Sequence, residues 1–279
     1  MLTIEDVLFL DTETTGVPDR NAKWDEDFQT YPHIVQLAWM HGAKMESHII
    51  RPEGWEIHEE AIEVHGITNE EALEKGEPFA LVIDQFLGDC AEAKLLCGHN
   101  LHFDTSIIKA NILRELGREY YDANEVEDSL YKGKRIDTMR PTMKWVDART
   151  QWGRLKFPRL EELYSRCFPG ETFPAHDALE DVKAVAKCLP VILAEGLVEL
   201  KVKEYPAEQL ELPRPEAAEK IVESAKQKFG NTGIAPESHK TAPNLSDNLK
   251  NEVDITPKTE KLKNAPNKEI ADLLNQEDF

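Results

Sequence analysis

The sequence predicts an α/β fold in which a mixed five-stranded sheet is flanked by helices. Apolar residues make up 41% of the 279 residues, enough to fill the core of such a domain. Strand patterns come first along the chain and then alternate with helical patterns, an order typical of a mixed sheet with helices packed on it. No apolar run is long enough to span a bilayer and no signal segment opens the chain, so we expect a cytoplasmic protein without membrane contact.

The pattern of apolar residues places each element along the chain. Strands are predicted at 7–13, 33–40, 46–50, 95–98 and 134–139, and helices at 58–75 (in pieces), 79–92, 103–117, 159–167 and 177–195. Pro78 stands where one helix begins, and Pro190 predicts a kink in the last one. The long polar loop 16–32 carries Trp24 and Phe28, which could stack on a displaced base, although anchoring of the loop itself is the favoured interpretation.

The composition changes near residue 200. All five Trp residues precede it, whereas residues 201–279 contain neither Trp nor Cys but include 7 of the 16 Pro residues. We therefore predict one domain over residues 1–200 and a flexible, Pro-rich, mixed-charge, partly disordered tail over residues 201–279, with short helical pieces. The four Cys residues are scattered without a CxxC pair, which indicates free thiols in a reducing compartment.

The chain is acidic, with 53 Asp and Glu residues against 33 Lys and Arg residues and a net charge of −20. Proteins that hold long stretches of nucleic acid are usually basic, so this charge counts against a large non-specific phosphate footprint. It does not exclude a nuclease whose charge is neutralised locally by metal ions. For a nuclease, this acidic charge favours the binding of short single-stranded ends, or delivery of the substrate by a partner.

Four acids and one histidine stand at the edges of predicted elements. Asp11 and Glu13 end the strand of FLDTETTG, where side chains two residues apart share a face at ~6.5–7 Å. Asp104 opens a helix in HNLHFD, and Asp181 follows His176 in HDALEDV. A separation of five residues is about 140° on a regular helix, so His176 and Asp181 converge only if His176 lies on the preceding loop.

Each of these segments alone also fits a plainer explanation, such as solvated acids at a strand end or acids that favour a helix dipole. Asp177 and Glu180 are expected to have only that second role. Taken together, the four acids are hard oxygen ligands without a Cys pair or an HExxH helix, which favours two Mg²⁺ or Mn²⁺ ions over zinc. Sites of this kind hold ions ~3.5–4 Å apart and serve phosphoryl chemistry. His176 is a natural acceptor for the proton of an attacking water.

FLDTETTG, HNLHFD and HDALEDV resemble the three motifs of the DEDDh 3′→5′ exonucleases, a family with an RNase H-like fold that includes the epsilon proofreading subunit of the bacterial replicative polymerase. The resemblance covers residues 7 to about 195. It implies that Asp11, Glu13, Asp104 and Asp181 hold two metal ions and that His176 is the general base. The implied reaction releases 5′-mononucleotides from a 3′ end. The implied substrate contacts are Thr14, Thr15, His65 and Phe103.

Some of these contacts also fit structural roles. His65, in EVHGIT, would fit an ordinary turn, and Phe103 would fit core packing. Asn100 is expected to brace the second motif, with His99 and His102 as bystanders. Gln36 stands where many members of the family carry Glu, a departure that leaves the five catalytic positions intact.

The implied substrate is DNA, in replication, proofreading or repair. Two alternatives remain open at this point: an exoribonuclease that trims RNA 3′ ends, which would differ by a 2′-OH contact, and a non-catalytic nucleic-acid-binding scaffold. The second is disfavoured because no carboxylate of the motifs is missing. Residues 209–213 (QLELP) resemble a peptide that docks on a sliding clamp, although Pro213 replaces the expected aromatic residue, so a polymerase or clamp partner is a minority expectation. The acidic end, residues 276–279, is expected to be disordered rather than a docking peptide.

Overall fold

A computed structural model describes residues 2–131, 135–200, 220, 222–224, 226 and 227. Within this part of the chain, five strands form one mixed sheet in the order β3-β2-β1-β4-β5. Strand β1 (Val7–Thr14) lies at the centre, between β2 (Ile34–His41) and β4 (Leu95–Gly98). It pairs antiparallel with β2 and parallel with β4. The edge strands are β3 (Lys44–Ile49), antiparallel to β2, and β5 (Arg135–Asp137), parallel to β4, which confirms the predicted fold class.

Helices lie on both faces of this sheet. The described helices are α1 (Glu59–His65), α2 (Asn69–Lys75), α3 (Phe79–Glu92), α4 (Leu101–Glu115), α5 (Gly117–Ala123), α6 (Val126–Tyr131), α7 (Met139–Val146), α8 (Leu160–Cys167) and α9 (Ala178–Ala194). No described helix has the length and apolar content that a membrane span requires. None of the four Cys residues, all of which lie in the described part of the chain, forms a disulfide bond.

Strand β1 is apolar throughout its first half because both of its faces are covered. Leu8 and Leu10 belong to the core cluster that includes Phe86 of α3 and Ile107 of α4. Val7 and Phe9 belong to a second cluster, with Leu163 of α8 and Val182, Val185 and Leu189 of α9. Since side chains alternate along a strand, Asp11 and Glu13 follow the second set and project on the side of α8 and α9.

Three helices differ from the sequence-based prediction, because α5, α6 and α7 fall where no helix was predicted. Tyr120 of α5 and Leu130 of α6 are fully buried and pack these two helices against the core. Pro190 lies inside α9, and the kink expected there stays a prediction.

Little of the predicted tail lies within the described residues. The described residues beyond 200 are helical, and Val222 is buried in the core cluster that contains Phe86. The candidate docking peptides at 209–213 and 276–279 lie outside the described residues, and the boundary at residue 200 stays a prediction.

Candidate active site

The end of β1 carries the first two acids. Asp11 is half-buried, and Glu13 is 9% exposed. The pairing of β1 with β2 shifts register between Glu13 and Thr14, so the strand becomes irregular directly after the second acid. Thr12, between the two acids, projects to the other face and is buried.

The start of α4 positions Asp104, which is 3% exposed. One oxygen of this carboxylate, Oδ1, accepts two hydrogen bonds from Thr12, from the backbone N–H at 3.1 Å and from the hydroxyl at 2.8 Å. Asn100 precedes α4 in a left-handed conformation, with φ of 67°. Its N–H and that of Met139 donate to Asp137 Oδ1 at 3.1 and 2.8 Å, so the end of β5 fixes the turn that begins α4.

The start of α9 positions the third motif. His176 has φ of 69° and lies on the loop before the helix, which is the arrangement that convergence with Asp181 requires. Asp177 is the N-cap, and its Oδ1 accepts hydrogen bonds from Leu179 N and Glu180 N at 3.0 and 3.1 Å. Glu180 pairs with Lys183 at 2.6 Å, so both of these acids have the local role predicted for them.

Gln36 attaches this helix start to the sheet. It is 5% exposed, its Oε1 accepts a hydrogen bond from Ala178 N at 3.1 Å, and its Nε2 donates to Ser47 Oγ at 3.1 Å. A longer contact of 3.5 Å joins Nε2 to Asp177 Oδ2. A neutral amide at this position therefore supplies an acceptor for α9 and a donor toward the sheet at the same time.

The three motifs converge. Glu13, His176 and Asp181 offer ligand atoms that all lie within 4.8 Å of one another. Asp11 and Asp104 are close enough to this group for all of these carboxylates to influence one another electrostatically. His176 Nε2 also lies 3.8 Å from Glu161 Oε1, in the first turn of α8.

The carboxylates are difficult to ionise together. Burial, followed by the charges of Asp181 and Asp104, raises the pKa of Glu13 to about 8. Burial raises the pKa of Asp104 to about 7 against the hydrogen bonds from Thr12, and burial also raises that of Asp181 to about 7. The pKa of Asp11 is raised well above its ordinary range, mainly by burial and then by Asp104. Such mutual repulsion is relieved when cations bind between the carboxylates.

The donor set fits divalent cations. Asp181 Oδ1 is buried and has no hydrogen-bond partner in the described part of the chain, although buried carboxylate oxygens are normally paired. Mg²⁺ and Mn²⁺ prefer oxygen ligands such as these carboxylates, and the imidazole of His176 lies beside them.

The four residues predicted to contact substrate differ in their hydrogen bonds and in their packing. Thr14 Oγ1 donates to Gly16 O at 2.6 Å, and Thr15 Oγ1 accepts from His33 N at 3.0 Å, so both hydroxyls take part in the turn after β1. Phe103 is partly buried against the core. His65 Nδ1 accepts from Ile67 N at 3.1 Å, which leaves the ring proton on Nε2, a buried atom without a hydrogen-bond partner among the described residues. A role in substrate binding stays a prediction for all four.

The loop 16–32 is anchored by its own aromatic residues, as favoured above. Trp24 stacks on Tyr121 with ring centroids 5.9 Å apart, and Lys109 Nζ lies 4.7 Å from the centroid of the Trp24 ring. Phe28 packs partly buried against the core, and its carbonyl accepts from Arg114 at 3.3 Å.

Sequence reasoning did not identify the residues whose hydrogen bonds position the candidate metal-binding acids. Thr12 and Asp137 were not identified, and Gln36 was noted only as a departure from the family. Asp137, like Asp11, is an acid at the carboxyl end of a strand, but its strand Arg135–Asp137 contains only one apolar residue, so the signal in the sequence is much weaker. His99 was taken as a bystander, but its ring contacts Thr138 Oγ1 and Pro158 O, both at 2.9 Å.

Residues 8–189 match a family model described as exonuclease (RNase_T). The chain belongs to this exonuclease family. The matched range contains the three motifs and, except for Val7 at the start of β1, all five strands, so the family assignment rests on the same part of the chain as the site geometry. A comparison with curated protein sequences found no match.

Solved structures with the same fold include several of exonuclease I. The E. coli enzyme in complex with a dA16 oligonucleotide has a TM-score of 0.51 and 22% identity, over 67% of this chain and 40% of that one. Its dT13 complex has a TM-score of 0.50 and 20% identity, over 67% and 40% of the two chains. A zinc-bound complex of it with single-stranded DNA has a TM-score of 0.50 and 21% identity, over 68% and 40%. The match thus spans about two fifths of exonuclease I, and at these identities it supports the fold alone.

Proposed function

We propose that the protein is a metal-dependent 3′→5′ exonuclease of the DEDDh type that releases 5′-mononucleotides from single-stranded DNA ends in the cytoplasm, in replication, proofreading or repair. The observation that carries the proposal is the convergence of Glu13, His176 and Asp181 within 4.8 Å beside the carboxylates of Asp11 and Asp104, in a chain of the exonuclease family. Exonuclease I, which has the same fold, forms a complex with single-stranded DNA, and this supports the choice of substrate.

Each residue has a definite task in this proposal. Asp11, Glu13, Asp104 and Asp181 would hold two Mg²⁺ or Mn²⁺ ions, which supply charge stabilisation for the phosphoryl group and a water of lowered pKa. Thr12 keeps Asp104 oriented through its two hydrogen bonds, so one oxygen of that carboxylate is left for binding.

His176 accepts the proton of the attacking water. Its side chain is 52% exposed, so the proton can pass on to solvent, and Glu161 Oε1 lies 3.8 Å from its Nε2. The left-handed backbone of His176 directs the ring from the loop toward Glu13 and Asp181 instead of along the surface of α9.

Digestion of 3′-labelled oligomers tests the proposal. Single-stranded DNA, a duplex with a mispaired 3′ end, and RNA of the same sequence are each incubated with Mg²⁺ and with EDTA. We expect labelled mononucleotide from single-stranded DNA in Mg²⁺ and none in EDTA. Faster release from RNA would reassign the substrate to RNA, and no release from any substrate, or release that persists in EDTA, would refute the proposed function.

Variants assign the roles. Asp11→Ala should abolish release, whereas Glu180→Gln, which changes an acid with a purely local partner, should retain it. His176→Ala should lower kcat about 10²–10⁴-fold while Mn²⁺ binding, measured by calorimetry, is retained. Loss of Mn²⁺ binding in His176→Ala would show that His176 is a ligand and not the base.

A further inference from the structure

The segment between β5 and α8 has a charge opposite to that of the whole protein. Residues 139–159, here called the basic strip, contain six of the 33 Lys and Arg residues and one acid, in a chain with a net charge of −20. The cationic residues are Arg140, Lys144, Arg149, Arg154, Lys156 and Arg159. An isolated basic segment on an acidic protein marks a surface for a polyanion.

The second half of the basic strip is a hairpin held by its own contacts. Arg149 and Leu155 form an antiparallel bridge, and Thr150 N donates to Arg154 O at 2.8 Å. The Arg149 guanidinium donates to Asp147 Oδ1 at 2.6 Å and to Gly153 O at 3.0 Å. These bonds present Trp152 at the tip, where it is 77% exposed.

Cations and aromatic rings alternate along this surface. Lys144 and Arg154 are exposed and form no ion pair within the described part of the chain. The exposed Arg140 guanidinium lies 5.4 Å from the centroid of the Phe157 ring, and Phe157 is itself 39% exposed. Exposed aromatic rings among cations are the combination that binds single-stranded nucleic acid, because bases stack on the rings while the cations contact phosphates.

The basic strip is attached to the candidate active site at its carboxyl end. Pro158 O accepts from His99 Nε2 at 2.9 Å, one residue before the turn that begins α4. Glu161, two residues beyond the strip, is the acid 3.8 Å from His176. Phe157 therefore lies near the rim of the site, and Trp152 lies farther out along the hairpin.

We propose that the basic strip binds the single strand on the 5′ side of the nucleotide that is removed. This inference rests on the proposed function, because a strand whose 3′ end occupies the carboxylate site can continue only in the 5′ direction. Phe157 and Trp152 stack on bases, and Arg140, Lys144 and Arg154 contact phosphates. Such contacts are independent of sequence, and a dinucleotide is too short to make them.

Two pairs of variants test the proposal. Trp152→Ala removes the outer ring, and Trp152→Phe retains one. Lys144→Gln with Arg154→Gln removes two strip charges. The matched control, Lys94→Gln with Arg118→Gln, removes two exposed charges elsewhere, at 60% and 56% side-chain exposure.

Binding is measured by the anisotropy of a labelled poly(dT) of ~15 nucleotides in Ca²⁺ at several salt concentrations. We expect Trp152→Ala and the strip double variant each to weaken binding about tenfold, and the strip variant to reduce the slope of log K against log salt by ~1.4. Trp152→Phe and the control should stay within about twofold of wild type. Equal losses in strip and control variants, or no loss in either, would overturn the proposal.

Hydrolysis separates this proposal from the proposed function. The strip variants should raise KM for the same poly(dT) about tenfold and leave the hydrolysis of a dinucleotide unchanged. An equal loss of activity on poly(dT) and on the dinucleotide would refute the proposal that the basic strip contacts the strand away from the nucleotide that is removed. If wild type hydrolyses neither substrate, the proposed function fails while the binding comparison still decides the role of the strip.

Discussion

At the scale of single residues, the candidate site depends as much on the partners of the carboxylates as on the carboxylates themselves. Asp104 lies at the start of α4, yet its position is set by Thr12, 92 residues earlier in the chain. Asp137 similarly fixes Asn100, and through it the turn that leads to Asp104. These partners make the site rigid before any ion is bound.

Thr12→Val tests this dependence. Valine has nearly the same shape but no hydroxyl, so Asp104 loses its 2.8 Å hydrogen bond and retains the one from the backbone. Since that hydroxyl lowers the pKa of Asp104, its removal should raise this pKa and weaken Mn²⁺ binding near neutral pH. We expect the free energy of unfolding in Mg²⁺ to fall by ~1.5–3 kcal/mol in urea titrations. Thr12→Ser retains the hydroxyl and should remain close to wild type; equal losses in both variants would contradict this role.

The candidate metal ligands could be identified in the sequence because acids at the ends of apolar strands and helices are conspicuous. The residues that hydrogen-bond to these acids and their helices could not be predicted, because these contacts form only when the chain folds. Nothing in the local sequence links Thr12 to Asp104, or Gln36 to Ala178 142 residues later. The spacing of His176 and Asp181 did require His176 to lie on a loop, and the structure meets that condition.

At the scale of elements, one side chain of β2 forms hydrogen bonds to the start of α9. Gln36 on β2 satisfies the N–H of Ala178, the first residue of the helix, and also reaches Asp177 and Ser47. The positions of His176 and Asp181 therefore depend on a residue of β2 that is outside the proposed set of metal ligands and substrate contacts.

Gln36→Leu should lower kcat more than it raises KM, because the ligands at the start of α9 lose their alignment. The unpaired Ala178 N–H should reduce the free energy of unfolding by about 1–3 kcal/mol. Gln36→Glu restores the acceptor for Ala178 but places another acid beside Asp177, so we expect partial activity that improves with the Mg²⁺ concentration. Steady-state kinetics and urea titration measure both effects, and full activity of Gln36→Leu would contradict the role assigned to Gln36.

The helices that sequence reasoning missed share a physical cause. Helices α5, α6 and α7 have 7, 6 and 8 residues, and helices this short are not stable without packing. Tyr120 and Leu130 become fully buried in the folded core, a tertiary contribution that periodicity in so few residues does not reveal. In α7, Pro141 suggests a break, but it lies in the first turn, where proline is tolerated.

At the scale of the whole molecule, the raised pKa values of the carboxylates couple stability to pH. The folded site retains protons up to the raised pKa of about 8 at Glu13 and about 7 at Asp104 and Asp181. The unfolded chain loses the same protons near its ordinary values of about 4. The folded state thus binds more protons between about pH 4 and pH 8, and the free energy of unfolding contributed by these groups falls as pH rises through that window.

We therefore expect Mg²⁺ to raise Tm by at least ~5 °C near pH 8 and by much less near pH 5, where the carboxylates remain protonated. In EDTA near pH 8, Asp181→Asn should melt above wild type because one repelling charge is gone, and it should lose most of the response to Mg²⁺. Glu180→Gln serves as the control and should respond like wild type. Thermal melts at the two pH values measure this, and an equal shift by Mg²⁺ at both would contradict the coupling.

The contrast between the acidic body of the protein and the basic strip also affects how a polyanion arrives. A DNA strand is repelled by most of the surface and attracted at residues 139–159, so collisions in the wrong orientation separate quickly while those at the strip persist. Electrostatic repulsion thus shortens encounters at the acidic surface before any specific contact forms. Because this electrostatic steering acts over a Debye length, about 8 Å at physiological ionic strength, the association rate should decline steeply with added salt even where the hydrolytic step is unaffected.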